Sequence, residues 1–163
     1  MTSDLPAYRE WAENPTSEPV AYSVIIPAYN EAIRILPTVA AIAVHISSLG
    51  KSWELIVADD GSTDNTVELL DGLNLANLHV LRAKANGGKG SAVRRGVLAA
   101  RGGVILFADA DQSTSIEHFG DLLVEIDRGN DVAIGSRSVE GATVANKSLV
   151  RKVLSSGLNL MVR

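Results

Sequence analysis

The 163-residue sequence has no cysteine, no excess of positive charge and no long hydrophobic run. The absence of cysteine excludes disulfide frameworks, cysteine zinc sites and thiol nucleophiles. Fifteen basic residues stand against 19 acidic ones, and the resulting net charge of −4 argues against a general nucleic-acid binder. The longest apolar runs, 20–27 and 104–108, are too short to cross a bilayer, and the acidic first 20 residues do not resemble a signal peptide. We therefore expect a soluble, cytoplasmic globular domain.

Acidic residues are also missing from one long stretch between Gly72 and Ala108, which holds six basic side chains: Arg82, Lys84, Lys89, Arg94, Arg95 and Arg101. One interpretation of this stretch is a solvated helix face. The same stretch contains the run Asn86-Gly87-Gly88-Lys89-Gly90-Ser91, in which glycines let the backbone approach a phosphate and the lysine supplies charge. The residues alone leave both interpretations open.

Strand and helix patterns alternate along the chain after residue 19. We predict strands at 22–26, 55–58, 78–81, 104–108 and 132–135, and helices at 33–49, 63–73, 90–100, 116–128 and 146–163. Continuous apolar strands separated by helices indicate an α/β fold, with a Rossmann-like and mostly parallel sheet covered by helices on both faces. Residues 1–19 hold three prolines and no periodic pattern, so we expect a flexible arm there and the domain proper at 20–163.

Polar residues follow four of the predicted strands at the point where each strand ends. They form the segments 27–31, 59–62, 109–111 and 135–137. In open parallel sheets, ligands bind beyond the carboxyl ends of the strands. The sequence therefore predicts that all four segments open onto one ligand-binding edge.

Two carboxylates, Asp109 and Asp111, stand two residues apart after the fourth predicted strand. In an extended segment such side chains point the same way, and their oxygens suit Mg²⁺ or Mn²⁺. A metal held by only two carboxylates usually shares a diphosphate as its partner. The alternative is that both aspartates cap the next helix.

Standard nucleotide and metal motifs fit these segments poorly. Gly88-Lys89 is followed by Gly90 where a P-loop needs Ser or Thr, and the loop after the first strand has no glycine for a dinucleotide fold. Asp109-x-Asp111 followed by Ser113 resembles the nucleophile motif of haloacid dehalogenase-type phosphatases, although Thr or Val usually stands where Ser113 does. That phosphatase is retained as an alternative enzyme class.

Four segments, in this order and spacing, resemble the family 2 glycosyltransferases of the GT-A fold over roughly residues 20–163. They are Val24-Ile25-Ile26-Pro27-Ala28-Tyr29-Asn30-Glu31, Asp59-Asp60-Gly61-Ser62-Thr63-Asp64, the glycine and lysine run from Asn86 to Gly96, and Asp109-Ala110-Asp111. Within the family, the polyprenyl-phosphate branch is most similar. Phe107-Ala108-Asp109-Ala110-Asp111 resembles the dolichyl-phosphate glucosyltransferases most, followed by the dolichyl-phosphate mannose synthases.

The resemblance implies an enzyme that transfers a hexose, with inversion, from a nucleotide sugar such as UDP-glucose to a polyprenyl (dolichyl-type) phosphate. Some relatives begin with a membrane helix, which residues 1–20 do not show, so we expect contact with the cytoplasmic face of a membrane to be peripheral or to come from missing segments; the acidic balance predicts no nucleic-acid partner. The implied nucleoside pocket comprises Pro27, Ala28, Tyr29, Glu31, Asp59 and Asp60, with Asp60 favoured for the uracil N–H. The implied phosphate and metal groups are Gly87, Lys89 and Arg137 for phosphates, with Asp109 and Asp111 as ligands of Mg²⁺ or Mn²⁺; Asp109, Asp111 and Arg137 are the implied catalytic residues.

Relatives in this family continue past the position of Met161-Val162-Arg163 into an acceptor-side motif, so we expect this chain to be the N-terminal, donor-binding portion of a longer protein. Two alternatives stay open within this interpretation. One is a glycosyltransferase that uses GDP-mannose or another UDP-sugar with a different acceptor. The other is a non-catalytic domain that binds a nucleotide sugar.

Overall fold

A computed structural model describes residues 19–73, 75–111 and 114–135. The chain divides into two compact units, residues 1–119 and residues 120–163. The described elements are β1 (Tyr22–Ala28), α1 (Ile35–Ser48), β2 (Trp53–Asp59), α2 (Thr66–Asp71), β3 (Leu78–Arg82), α3 (Lys89–Ala99), β4 (Val104–Phe107), a 3₁₀ helix (Ile116–His118) and α4 (Phe119–Asp127). The predicted arm up to residue 18 and the predicted helix 146–163 lie outside the described residues.

The four strands form one parallel sheet in the order β3-β2-β1-β4. The chain runs from β1 outward to β3 and then crosses back to place β4 on the other side of β1. The carboxyl ends of β1 and β4 therefore flank a topological switch point, where open α/β sheets bind ligands. The parallel α/β fold predicted from the sequence is confirmed.

The two central strands form the core, because residues 24–26 of β1 and 55–58 of β2 are fully buried. Helix α3 packs on β1 and β2 through its small residues Ala92, Gly96 and Ala99. On the opposite face of β1, the Tyr22 ring meets Phe119 edge-on, with ring centroids 5.3 Å apart. Both faces of the central strands are thus covered, as buried parallel strands require.

The longest helix described, α1, has 14 residues. Within residues 19–73, 75–111 and 114–135, no helix combines the length and the apolar character needed to cross a membrane.

The predicted fifth strand at 132–135 is wrong. The structure describes these residues without strand pairing, and Val132 and Ile134 are 75% and 84% exposed. An apolar run becomes a strand only where a neighbouring edge and a packing face receive it. Among the described residues, Val132 and Ile134 have neither a pairing edge nor a packing face, so no strand precedes the predicted ligand segment at residue 135.

Strand β1 extends two residues further than predicted and takes in Pro27 and Ala28. Ile25 faces β4, since its carbonyl accepts from the Ala108 N–H (2.9 Å), whereas the Ala28 carbonyl faces β2 and accepts from Asp60. Pro27, two residues after Ile25, therefore turns its nitrogen toward the β4 side, beyond the last paired residue of that strand. The missing N–H of proline costs no ladder bond there and marks the point where β1 and β4 part.

A buried carboxylate ties the amino ends of the strands together. Glu54 is 1% exposed and accepts from the Ser23 hydroxyl (2.5 Å) and the Arg101 backbone N–H (2.7 Å). The Arg101 guanidinium completes an ion pair with Glu54 at 3.0 Å. This end of the sheet is closed by a satisfied polar network, so the open end is the carboxyl edge.

His79 of β3 makes the stability of the fold dependent on pH. The pKa of His79 is lowered from 6.5 to about 4, chiefly by burial; Glu54 opposes this effect and Arg101 adds to it. The unfolded chain therefore binds a proton between pH 6.5 and 4 that the folded chain does not, so stability is full above pH 6.5 and falls as the pH drops toward 4. We expect His79→Gln to flatten this loss in urea unfolding at pH 7 and pH 5, and the exposed-site variant His118→Gln to retain it.

The close packing of α3 on β1 depends on Gly96. A Cβ at this position would lie 2.4 Å from Ile25 Cγ2 in the core. We expect Gly96→Ala to lower the free energy of unfolding by about 1–3 kcal/mol because of overpacking. Gly90, in the first turn of the same helix, has nothing within 4 Å of the corresponding Cβ, so Gly90→Ala is the control and gains up to about 1 kcal/mol of helix propensity. Equal effects of the two substitutions on urea unfolding would contradict the packing argument.

Candidate functional site

The loop after β1 and the turn after β2 are joined by the side chain of Asn30. Its Oδ1 accepts from the backbone N–H of Thr63 (2.8 Å) and of Asp64 (3.3 Å). The backbone N–H of Asn30 donates to the Ser62 hydroxyl (2.9 Å). Asn30 adopts a left-handed backbone conformation (φ 54°), which asparagine tolerates better than most residues. Two of the predicted ligand segments, 27–31 and 59–62, therefore form one connected surface.

Asp59 stabilises its own turn. Its carboxylate accepts from the backbone N–H of Gly61 (3.1 Å) and of Ser62 (3.2 Å), and the residue is 2% exposed. Both oxygens serve the local turn, as short acidic side chains often do in such positions. Asp59 thus shapes the predicted nucleoside pocket from within.

Asp60 connects this turn to the glycine-rich loop after β3. Its Oδ2 accepts from the backbone N–H groups of Gly87 (3.1 Å) and Gly88 (2.6 Å). Its Oδ1 accepts longer bonds from the two terminal nitrogens of Arg95, at 3.3 and 3.4 Å. A carboxylate that is 2% exposed needs such partners, and they fix the glycine loop against the β2 turn.

The glycines of these two segments are required by backbone geometry. Gly88, just before α3, has φ 88° and ψ 156°, a region that only glycine occupies readily. Gly61 has φ 78°, and a Cβ there would lie 2.8 Å from the Ala85 carbonyl carbon. The β2 turn and the β3 loop therefore approach each other backbone to backbone.

Lys89, the first residue of α3, joins the glycine loop to the acidic segment after β4. Its ammonium forms an ion pair with Asp109 Oδ1 and lies 5.8 Å from the centroid of the Phe107 ring. The Lys89 and Asp109 side chains are 59% and 38% exposed. The basic run and the acidic pair that the sequence predicted separately thus meet at one edge of the sheet.

The acidic segment fits a divalent cation that takes further ligands from a bound diphosphate. Asp109 already faces a positive charge, the Lys89 ammonium, and Asp111 is exposed two residues further on. In the part of the chain that the structure describes, no group of three or more His, Cys, Asp or Glu residues could hold a metal alone. Mg²⁺ and Mn²⁺ bound by one or two carboxylates usually complete their coordination with water and phosphate oxygens.

A cleft of about 570 Å³ lies beside Asp109, between α1 and residues 114–117. Thr38 fixes one wall, since its hydroxyl donates to the Ala110 carbonyl (2.7 Å). His45 lines the cleft, and its Nε2 is buried with no hydrogen-bond partner among the described residues. The volume is within the usual range for small-molecule sites.

The remaining predicted residues occupy different positions. Pro27 and Ala28 are part of β1, and Ala28 contributes its carbonyl, which accepts from the Asp60 N–H (2.8 Å). Tyr29 is 44% exposed, and Glu31 pairs with Arg34 at 2.7 Å. Arg137, predicted for phosphate contact and catalysis, lies outside the described residues.

Sequence reasoning missed Arg95, which it treated as one member of a basic run. Arg95 donates to the Asp59 carbonyl (2.9 Å) and the Ser91 hydroxyl (3.2 Å) in addition to Asp60. Its position at i+3 from Ala92 and i+4 from Ser91 was the available signal, because that spacing turns it toward the packed face of the helix. Its neighbour Arg94 is exposed.

The different environments of the two arginines predict different effects of the same substitution. Arg95→Met leaves the buried Asp60 carboxylate without its cationic partner, and we expect the free energy of unfolding to fall by about 1–3 kcal/mol. Arg94→Met, the matched control, is expected to change it by less than about 0.5 kcal/mol. Thermal or urea unfolding measures both variants, and equal changes would contradict the assigned role of Arg95.

Comparison with known proteins gives a consistent set of relatives. The chain is 39% identical to the dolichyl-phosphate beta-glucosyltransferase of Dictyostelium discoideum over 158 residues, which cover 86% of this chain and 48% of that protein. It is 37% identical to the dolichol-phosphate mannosyltransferase of Pyrococcus furiosus over 142 residues, which cover 86% of this chain and 40% of that protein. The chain thus spans about half or less of these relatives' length.

The solved structures and the family models agree with the sequence relatives. S. aureus TarS 1-349 in complex with UDP-GlcNAc is similar over 67% of this chain and 32% of its own, with 29% identity and a TM-score of 0.54. The model for Glycosyl transferase family 2 matches residues 23–161, which favours the predicted glycosyltransferase over the phosphatase alternative. Since that match covers most of the sequence and includes every segment of the site described above, this chain belongs to glycosyl transferase family 2.

Proposed function

We propose that this chain forms the donor-binding part of an enzyme that transfers a hexose from a nucleotide sugar to a polyprenyl phosphate. We further propose UDP-glucose as the donor and inversion at the anomeric carbon. The name of the Dictyostelium discoideum relative supports a dolichyl-type acceptor and glucose as the sugar. Because the chain matches about half the length of this relative, donor binding is the part of the proposed function that experiments on this chain can test.

One observation carries the proposal: the ion pair between Lys89 and Asp109. It joins the amino end of α3, where helix amides suit phosphates, to the acidic segment, which has the ligand chemistry for a divalent cation. A diphosphate with its metal needs both kinds of group side by side. The solvated-face and helix-cap interpretations have no need for this convergence.

The hydrogen bonds in the turn after β2 favour Asp60 over Asp59 as acceptor for the base. Asp59 uses both oxygens in bonds to its own turn. Among the described residues, Asp60 Oδ1 accepts two bonds from Arg95 that are long, at 3.3 and 3.4 Å, so these are the bonds that an incoming N–H donor would replace. We propose that this donor is the N3–H of uracil. Tyr29, the residue directly after β1, is exposed.

The chemistry proposed for the site requires little proton transfer. A phosphate acceptor is already an anion at neutral pH, so it attacks the anomeric carbon without a strong general base. The bond between that carbon and the diphosphate oxygen breaks in the same displacement, and negative charge develops on the leaving diphosphate. Lys89 and the amides at the start of α3 stabilise that charge, and a Mg²⁺ or Mn²⁺ ion held by Asp109 and Asp111 supplies further neutralisation when bound. The cleft beside Asp109 offers room for the hexose.

A second candidate is transfer of mannose from GDP-mannose. The 37% identity to the dolichol-phosphate mannosyltransferase of Pyrococcus furiosus favours it. Guanine also presents N–H donors that Asp60 could accept. The nucleotide that binds most tightly distinguishes the two candidates.

We expect calorimetric titrations to rank UDP and UDP-glucose above GDP, and Mn²⁺ to strengthen UDP binding. By reciprocity, UDP strengthens Mn²⁺ binding by the same factor. Asp111→Asn removes a metal ligand, so it abolishes this coupling and leaves uridine binding intact. Asp131→Asn removes an exposed carboxylate elsewhere and serves as the control.

Two results would change the proposal. Equal UDP affinity in EDTA and in Mn²⁺ would remove the metal role of Asp109 and Asp111 and restore the helix-cap interpretation. A clear preference for GDP would replace the glucosyl donor by a mannosyl one.

A further inference from the structure

Lys89 holds a position that two different partners require. Its ammonium pairs with Asp109, and the Phe107 ring lies 5.8 Å from it. The backbone of the same residue begins α3 directly after Gly88, whose N–H is tied to Asp60. The backbone of Lys89 is therefore fixed next to the glycine-rich loop, and its ammonium reaches the acidic segment.

This arrangement conflicts with a metal ion at Asp109. A divalent cation on this carboxylate and the Lys89 ammonium would be two positive charges at one group, and like charges at such distances repel strongly. The Asp109 carboxylate therefore exchanges one cation for the other. Lys89 must leave Asp109 when the metal arrives, and it needs a new anionic partner.

We infer that Lys89 couples metal binding to nucleotide binding. Without donor, Lys89 occupies Asp109 and weakens its affinity for the metal. When a nucleoside diphosphate enters, Lys89 transfers its charge to the phosphates and leaves Asp109 to the metal. This inference rests on the proposed function, because it takes the diphosphate and the metal as the ligands of the site.

The physical properties of the pair suit such an exchange. The Lys89 side chain is 59% exposed and long, so it reorients at low cost. Exposed ion pairs are weak, whereas an ammonium on a diphosphate forms charge-assisted bonds to a more highly charged partner. The Asp60 tether keeps the backbone of the loop in place, so only the side chain needs to move.

The test compares three variants by calorimetry with Mn²⁺ and UDP. Lys89→Met removes the charge and keeps an apolar stem beside Phe107, while Lys89→Arg keeps the charge. Lys84→Met removes an exposed positive charge from the same basic stretch and controls for long-range electrostatics.

We expect the free Lys89→Met chain to bind Mn²⁺ about two- to fivefold more tightly than wild type, as loss of a weak exposed pair predicts. Its UDP affinity falls, and the loss is greater in Mn²⁺ than in EDTA. The reason is that in EDTA the wild-type lysine must first leave Asp109, whereas in Mn²⁺ the metal has already displaced it. Lys89→Arg and Lys84→Met retain the wild-type coupling.

Failure of the inference and failure of the proposed function give different results. If wild type couples Mn²⁺ and UDP but Lys89→Met loses equal UDP affinity in both conditions, Lys89 binds phosphate without coupling and the inference is wrong. If Lys84→Met changes Mn²⁺ binding as much as Lys89→Met does, the effect is long-range charge and the inference is also wrong. If wild type binds UDP but shows no coupling at all, the proposed metal role of Asp109 and Asp111 fails, and if it binds no nucleotide, the proposed function itself fails.

Discussion

The buried carboxylate of Asp60 is the interaction on which the arrangement of the site depends. A carboxylate removed from water is unfavourable unless donors replace its hydration, and Asp60 receives two backbone amides and a guanidinium. Those donors belong to the glycine loop and to α3, so satisfying one charge also fixes the segment that carries Lys89. Lys89 in turn connects this segment to the acidic segment after β4.

The scaffold around Asp60 follows from the topology of the sheet. All four strands are parallel, so the loops after β1, β2, β3 and β4 lie at a single edge of the sheet, and the order in which strands are added reverses once, between β3 and β4. Asn30 then connects the first two loops, and Pro27 ends the pairing of β1 with the β4 side. Loop segments with little regular structure are thus positioned by side-chain contacts to rigid strands, an arrangement common in binding sites.

The alternation of apolar strands and helices was enough to predict the parallel sheet, and the polar segments after β1, β2 and β4 were enough to predict that these loops lie at one edge. The prediction missed Arg95, because composition does not distinguish two adjacent arginines; only the helical spacing of Arg95 from Ala92 and Ser91 indicates which of the two faces the packed side of the helix. It also failed at 132–135, where Val132 and Ile134 alternate like a strand but lie exposed. Both failures have the same cause. A local pattern indicates which structures a segment can adopt, whereas the residues packed around it determine which structure and contacts it has.

The Glu54 network at the amino ends of the strands has a mechanical consequence. Ser23, Glu54 and Arg101 bind β1, β2 and the segment before β4 into one unit at that end, while the opposite end consists of loops. Because this network fixes the amino ends of the strands, backbone displacements grow toward the carboxyl ends. Thermal motion and the response to a ligand are therefore concentrated in the loops, and amide hydrogen exchange should be slowest near Ser23 and Glu54 and faster at loop amides that, unlike those of Gly87 and Gly88, donate to no buried carboxylate.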